Sequence, residues 1–280
     1  MIASDIRTAP PLTLTPARRP GRSRKIAVIA LNTFRESVRD RVLYNLILCV
    51  LILVGASIFI SELSVNQETK FIATLGLSLM LVVGALIAVF IGVALVYKEI
   101  DKRTIYNLLT KPVQRYEFIL GKYAGLCLTL LVNSLVMILA TEAALVYVNR
   151  GVVPLQLSVL TAGYLIFLEL ALLVAIALMF SSFSTPMLAT LFSFALYVIG
   201  QFSADLKLAA ALSESFFMRA LLTVLYYLVP NLSNFSFITQ ASHGQIVPLQ
   251  KAVSATLYAV VYIAVLLSAS VLIFQRRNFK

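Results

Sequence analysis

The chain alternates between long apolar runs and short polar breaks. Six runs approach or exceed the roughly 20 residues a helix needs to cross a bilayer core. They are approximately Val42 to Ser61, Gly76 to Tyr97, Phe118 to Val148, Leu157 to Phe180, Met187 to Ser203 and Ala252 to Phe274. The third is long enough to tilt or protrude. A further run, Phe216 to Val229 (FFMRALLTVLYYLV), is shorter, contains Arg219 and stops at Pro230, which predicts a re-entrant or interfacial helix. The pattern predicts an all-α polytopic membrane protein with six transmembrane helices.

Composition agrees with this. Of 280 residues, 60% are hydrophobic and only 12% charged, about half the charge of an ordinary soluble domain. The net charge of +11 is explained by where the cations fall, so no nucleic-acid partner is expected. Nine of the 23 Lys and Arg lie between Arg7 and Arg41, six between Lys98 and Lys122, and three in the tail at Arg276, Arg277 and Lys280. Only Lys70, Arg150, Lys207, Arg219 and Lys251 are left for the other side. Excess Lys and Arg mark cytoplasmic loops. Both termini and the 98–122 stretch are therefore expected in the cytoplasm, as six crossings require.

The predicted organisation is a disordered basic cytoplasmic tail over 1–23, an amphipathic elbow helix over 24–41 and a six-helix transmembrane domain over 42–280. The tail is rich in proline and arginine and lacks the apolar core of a signal peptide. In the elbow segment, Ala27, Ala30, Leu31, Phe34 and Val38 recur at helical spacing on one face. Such a basic amphipathic helix lies in the membrane surface with that face down, either as a plain anchor or also packed against a cytoplasmic partner.

Between the second and third runs the sequence reads EIDKRTIYNLLTKPVQRYEFILGK. A helix leaving the second run cannot continue through Pro112, which lacks an N–H and clashes with the preceding turn. The 98–117 loop should thus form a helix-turn-helix, with Gly121 allowing a close helix approach and Lys122 snorkelling to the surface. Its charges are mixed (Lys98, Glu99, Asp101, Lys102, Arg103, Lys111, Arg115, Glu117) and it has an apolar side. That favours a docking surface over a solvated topogenic loop.

Glu99, Thr104, Leu108, Leu109, Pro112, Arg115, Gly121 and Lys122 resemble a motif of permease subunits from the second bacterial ABC exporter class, whose fold is shared with type V ABC transporters. Arg103 stands where many members have Gly. TFRE-x-x-RDR (Thr33 to Arg41) and VPNLSNFS (Val229 to Ser236) are similar to the branch that matures multicopper enzymes. The resemblance covers the chain from about Lys25 onward. It implies an exporter permease paired with a second permease copy or paralogue and two ATP-binding subunits, which would hold ATP and magnesium. It also implies that Arg35, Glu36, Glu99, Asp101, Arg103, Thr104, Pro112, Arg115, Gly121 and Lys122 couple to the ATPase. The sequence has no GxxxxGK[ST] phosphate loop, so the ATPase is expected on another chain and this one is not expected to be an enzyme.

Glu169 falls mid-span, where charge costs about 2.5–3.5 kcal/mol on insertion scales. It is either a cargo or proton contact or a structural hydrogen bond to a neighbouring helix. Glu142 is expected to be interfacial. Ser193, Tyr197 and Gln201 form a thin polar stripe at i, i+4 and i+8. With Glu169 they are candidates for the translocation path, or they simply pack between helices. Gly76, Gly84 and Gly92 recur every eighth residue, which suits close packing. Cys49 and Cys127 are expected as buried thiols, and the lone His243 as a surface residue, so no metal site is expected. The outer 204–250 region should cap the outer mouth and meet an external partner. A membrane-embedded enzyme is disfavoured, because the spans lack paired carboxylates or a His cluster. A scaffold that anchors a complex without moving cargo remains the alternative to a transporter.

Overall fold

In the computed structural model, residues 22–61, 67–101, 114–151, 154–213 and 215–276 are described. They form α1 (Arg22–Val38), α2 (Arg41–Ser61), α3 (Glu68–Asp101), α4 (Arg115–Asn149), α5 (Pro154–Ser181), α6 (Pro186–Gln201), α7 (Ser203–Leu212), α8 (Phe216–Leu228), a 3-10 turn (Leu232–Phe235), α9 (Ile238–Ser242) and α10 (Leu249–Arg276). No strand occurs among the described residues. The protein is an all-α polytopic membrane protein.

The helix ends follow local chemistry. At the start of α4 the Glu117 carboxylate accepts the Gln114 backbone N–H at 3.0 Å, satisfying a donor that the first turn would otherwise orphan. At its other end Arg150 takes a left-handed conformation (φ 52°), a common helix stop. Pro186 opens α6, where its missing N–H costs nothing.

α5 is the central helix. Its sequence is apolar on every side, and such a helix belongs in the interior. Residues Leu170 to Leu178 are all nearly inaccessible. α3 and α4 pack against α5 and against each other, with α10 and α6 on its remaining flanks. The glycines of α3 set these distances. A methyl group on Gly76 would strike Thr141 of α4, one on Gly84 would strike Leu170 of α5, and one on Gly92 would come within 3.3 Å of Ala177 Cβ. The eight-residue recurrence is therefore a packing seam. α2 and α10, by contrast, leave large apolar side chains such as Leu48, Ile52, Leu257 and Val261 exposed, as a lipid-facing surface must.

Four helices are long and apolar enough to cross a membrane alone: α3 from Glu68 to Leu95, α4, α5 from Leu155 to Ser181, and α10 from Leu249 to Phe274. The number is six if each of two bent helix pairs counts as one span. α2 occupies the first predicted segment, with its apolar stretch described over Leu46–Phe59. The predicted span from Met187 to Ser203 is one helix as far as Gln201, and it is short for a crossing. α6 has 16 residues, about 24 Å at 1.5 Å per residue, against a core of about 30 Å. The chain then bends by 62° into α7. A wedge lies against this bend. Pro230 to Phe235 fills the space beyond α6 so closely that a methyl group on Gly200 would lie 2.9 Å from the Pro230 carbonyl and 2.8 Å from Leu232 Cγ.

Two smaller expectations are also corrected. Cys49 is exposed on the apolar surface of α2, and Cys127 is only partly buried. Small apolar thiols are as well placed against lipid as inside a core.

Candidate functional site

The site is built where α1 crosses the first turns of α4. The face of α1 that packs there is not the predicted apolar one. Thr33 and Ser37 are buried against α4, while Val28 and Leu31 are exposed. Both hydroxyls are silenced locally: Thr33 Oγ1 donates to the Ile29 carbonyl at 2.9 Å and Ser37 Oγ to the Thr33 carbonyl at 2.9 Å. Small, internally satisfied side chains let the backbones approach, and the glycines of α4 complete the fit. A methyl group on Gly121 would lie 2.6 Å from Ile29 Cγ2, and one on Gly125 would lie 2.6 Å from Thr33 Cβ.

Two ion pairs cross this contact in opposite senses. Lys25 of α1 lies 3.8 Å from Glu117 of α4, and Glu36 of α1 lies 4.0 Å from Lys122 of α4. Glu117 is 1% and Lys122 2% exposed, so both are screened far less than surface pairs. Lys122 does not snorkel. α1 covers it, and it sits 5.8 Å from the centre of the Phe118 ring.

α10 joins the same end of the bundle. Arg115 Nη1 donates to the Phe274 carbonyl at 2.8 Å, a cation on the electronegative end of a helix. The Phe118 and Phe274 rings stack with centroids 6.0 Å apart. Nearby, Ser182 after α5 and Ser270 of α10 share a buried hydrogen bond of 2.7 Å. A cavity of about 450 Å³ opens beside α1, bordered by Asn32, Arg35, Glu36, Arg39, Phe118 and Lys122. The result is a cross-braced platform of α1, the start of α4 and the end of α10. The 102–113 segment joins it to α3.

Of the predicted coupling residues, Arg35, Glu36, Arg115, Gly121 and Lys122 come together here. Glu99 and Asp101 lie on the last turn of α3, but their side chains are outside the described residues, as are Arg103, Thr104 and Pro112 altogether. Sequence reasoning missed the pairing of Lys25 with Glu117 and the docking of Phe274. Only the opposite charge order of the two segments, Lys25 then Glu36 against Glu117 then Lys122, hinted at it.

The intramembrane polar residues meet elsewhere. Gln201, the last residue of α6, donates through Nε2 to Glu169 Oε1 in the middle of α5. Glu169 is 1% exposed, and its Oε2 has no hydrogen-bond partner among the described residues. Ser193 is buried and donates to the Ala189 carbonyl at 2.7 Å, while Tyr197 is partly buried between them. The stripe therefore faces protein within this chain. Glu142 is half-buried in α4, and its Oε1 also lacks a hydrogen-bond partner among the described residues. His243 is exposed, and no cluster that could hold a metal occurs among the described residues.

The wedge beyond α6 is held by a separate polar knot. Asn231 Oδ1 accepts from Ser203 Oγ and from Ser233 Oγ, both at 2.6 Å. The Asn231 backbone N–H donates to the Tyr258 hydroxyl at 2.7 Å. Leu232 and Phe235 are fully buried beside it.

No curated protein matches the chain. A family model described as ABC-2 family transporter protein matches residues 27–279, which takes in the platform, the buried glutamate and the wedge together. The chain belongs to the ABC-2 transporter family and is a multi-pass permease of an ABC transporter.

Proposed function

We propose that this permease is the membrane half of an ATP-driven exporter in a bacterial inner membrane, with both termini and the 102–113 segment in the cytoplasm. It would work as a pair, with a second copy or a paralogue, above two ATP-binding subunits that hold ATP and magnesium. Its share of the work is mechanical. The loop and the exposed side of α1, with Arg35, Glu36, Glu99, Asp101, Arg103, Thr104, Pro112 and Arg115, form the surface that meets the ATPase. Closure of the nucleotide subunits then tilts α3 and α4. The motifs around Thr33 to Arg41 and Val229 to Ser236 support a place in the branch that matures multicopper enzymes. Glu169, Ser193, Tyr197 and Gln201 remain the candidates for the cargo route.

The observation that carries this reading is the bracing of α1 on α4. A push on a flexible loop is absorbed by the loop, whereas a push on a cross-braced body is passed to the helices that continue from it. Opposed ion pairs, glycine-mediated contact and the Arg115 bond to α10 make the platform such a body.

The test uses the purified complex with its ATP-binding subunit. Glu99→Ala or Arg115→Ala should lose subunit assembly or permease stimulation of ATP hydrolysis. Wild-type values for both would reject a coupling role. Intact assembly and hydrolysis without any cargo movement in the unaltered complex would point to an anchoring scaffold instead.

A further inference from the structure

Glu169 is buried in the middle of α5 and accepts a hydrogen bond from Gln201 on one carboxylate oxygen. Its other oxygen, Oε2, is enclosed with no hydrogen-bond partner among the described residues. No basic side chain is placed to balance this acid. Every Lys, Arg and His of the chain falls outside 42–61, 71–97, 123–149, 151–206 and 252–275. The first cation beyond α6, Lys207, lies 5.7 Å from the centre of the Tyr226 ring, and Arg219 is bonded to the Ser213 carbonyl. An ionised acid at this depth needs a positive partner, and the sequence places none inside the bundle.

What surrounds the acid is oxygen and a helix end. α6 stops at Gln201, so the electronegative end of its dipole falls within one side chain's reach of Glu169. Gln201 donates through its amide nitrogen, which leaves its amide oxygen as an acceptor. Tyr197, one turn earlier on the same face, interacts with both Glu169 and Gln201. Carboxylate and neutral oxygens at the carbonyl end of a helix that stops inside a membrane are donors suited to an alkali cation. The charge also selects the ion. A divalent cation gathers several acidic ligands, and no group of three His, Cys, Asp or Glu occurs among the described residues. One carboxylate with neutral oxygens matches a single positive charge.

We propose that Glu169, Tyr197 and Gln201 bind a monovalent metal cation of the sodium or potassium class, which ties the end of α6 to the middle of α5. Glu169 Oε2 supplies the charge, and the Gln201 amide oxygen and the Tyr197 hydroxyl supply neutral ligands. The ion gives the buried carboxylate the partner that the chain itself lacks. The inference goes beyond the transport reading and does not depend on it, because a structural ion serves a transporter and a scaffold alike.

The test is thermal unfolding of the purified full-length permease at constant ionic strength, with NaCl or KCl replacing choline chloride. The wild-type midpoint should rise saturably with at least one of the two metal salts, by about 3 °C at ten times the half-saturating concentration. Glu169→Gln should unfold as the wild type does in choline chloride and should lose the rise. Glu142→Gln, which alters a half-buried acid of α4, should keep it. Tyr197→Phe retains the charge and the ring, so it should raise the half-saturating concentration several-fold; it carries the test if Glu169→Gln does not fold, and an unaltered value would overturn the site. No rise in either salt would overturn the proposal, as would an equal rise in Glu169→Gln, which is a bulk salt effect. A rise lost in Glu142→Gln and kept in Glu169→Gln would place the ion elsewhere and overturn it too. If the wild type ignores both salts and is stabilised by acid instead, in a way that Glu169→Gln abolishes, the partner is a proton and the proposal fails.

Discussion

Lys25 of α1 and Glu117 of α4 sit 3.8 Å apart, and the same Glu117 carboxylate accepts the Gln114 N–H that begins α4. One buried acid therefore both starts the helix and fastens another helix across it. Glu117→Ala should remove a cap and leave Lys25 without this partner, costing about 2–4 kcal/mol. Thermal unfolding of the purified permease should show it, and Lys25→Met, which takes this cation from the buried Glu117 carboxylate, should be destabilising as well.

Gly125 faces Thr33 and the Ala30 carbonyl, with no space for a side chain. Gly125→Val should push α1 away from α4 at a cost of about 1–3 kcal/mol. Protease cleavage within α1 should become faster while the transmembrane helices stay protected. Unchanged cleavage would mean the contact is looser than its geometry.

Gln201 supplies the hydrogen bond that Glu169 receives in the bundle interior. Gln201→Ala should leave the acid without a partner among the described residues and cost about 1–3 kcal/mol. Glu169→Gln should be close to neutral for stability, because an amide carbonyl still accepts from Gln201. Transport by Glu169→Gln measured across pH then separates the two readings of this residue. Retained transport with an unaltered pH profile fits a structural bond, whereas a lost pH dependence would make Glu169 a proton or cargo contact.

Asn231 gathers two serine hydroxyls and sits against Tyr258. Asn231→Ala should leave Ser203 and Ser233 only their longer mutual contact of 3.3 Å and loosen the wedge, lowering stability by about 1–2 kcal/mol. Gly200→Val should do so by steric pressure on Leu232. If the wedge closes the bend between α6 and α7, hydrogen exchange should rise in α7 for both variants and not in α3.

Much of this was legible in the sequence, for reasons that can be stated. α5 is apolar on all sides, so its central place follows from its composition. The glycine recurrence in α3 and the small residue at Gly121 name close contacts directly. The bend that follows α6 was not legible, because Pro230 to Phe235, which packs against Gly200 there, is remote in sequence. The packing of α1 on α4 through Thr33 and Ser37 was not legible, because both score as polar, while in the fold each hydroxyl bonds to its own helix. Lys122 was misread because a lysine near a helix end usually reaches water, and nothing local reveals that another helix covers it.

If the platform transmits force, α1 and the start of α4 move as one body when the ATP-binding subunit acts on them. The most direct measurement is permease-stimulated ATP hydrolysis in the purified complex for Lys25→Glu, Glu117→Lys and the two together. Each single reversal, which sets like charges where Lys25 and Glu117 lie 3.8 Å apart, should lower stimulation, and the double reversal should recover much of it. Full stimulation in both single variants, with the complex intact, would contradict it.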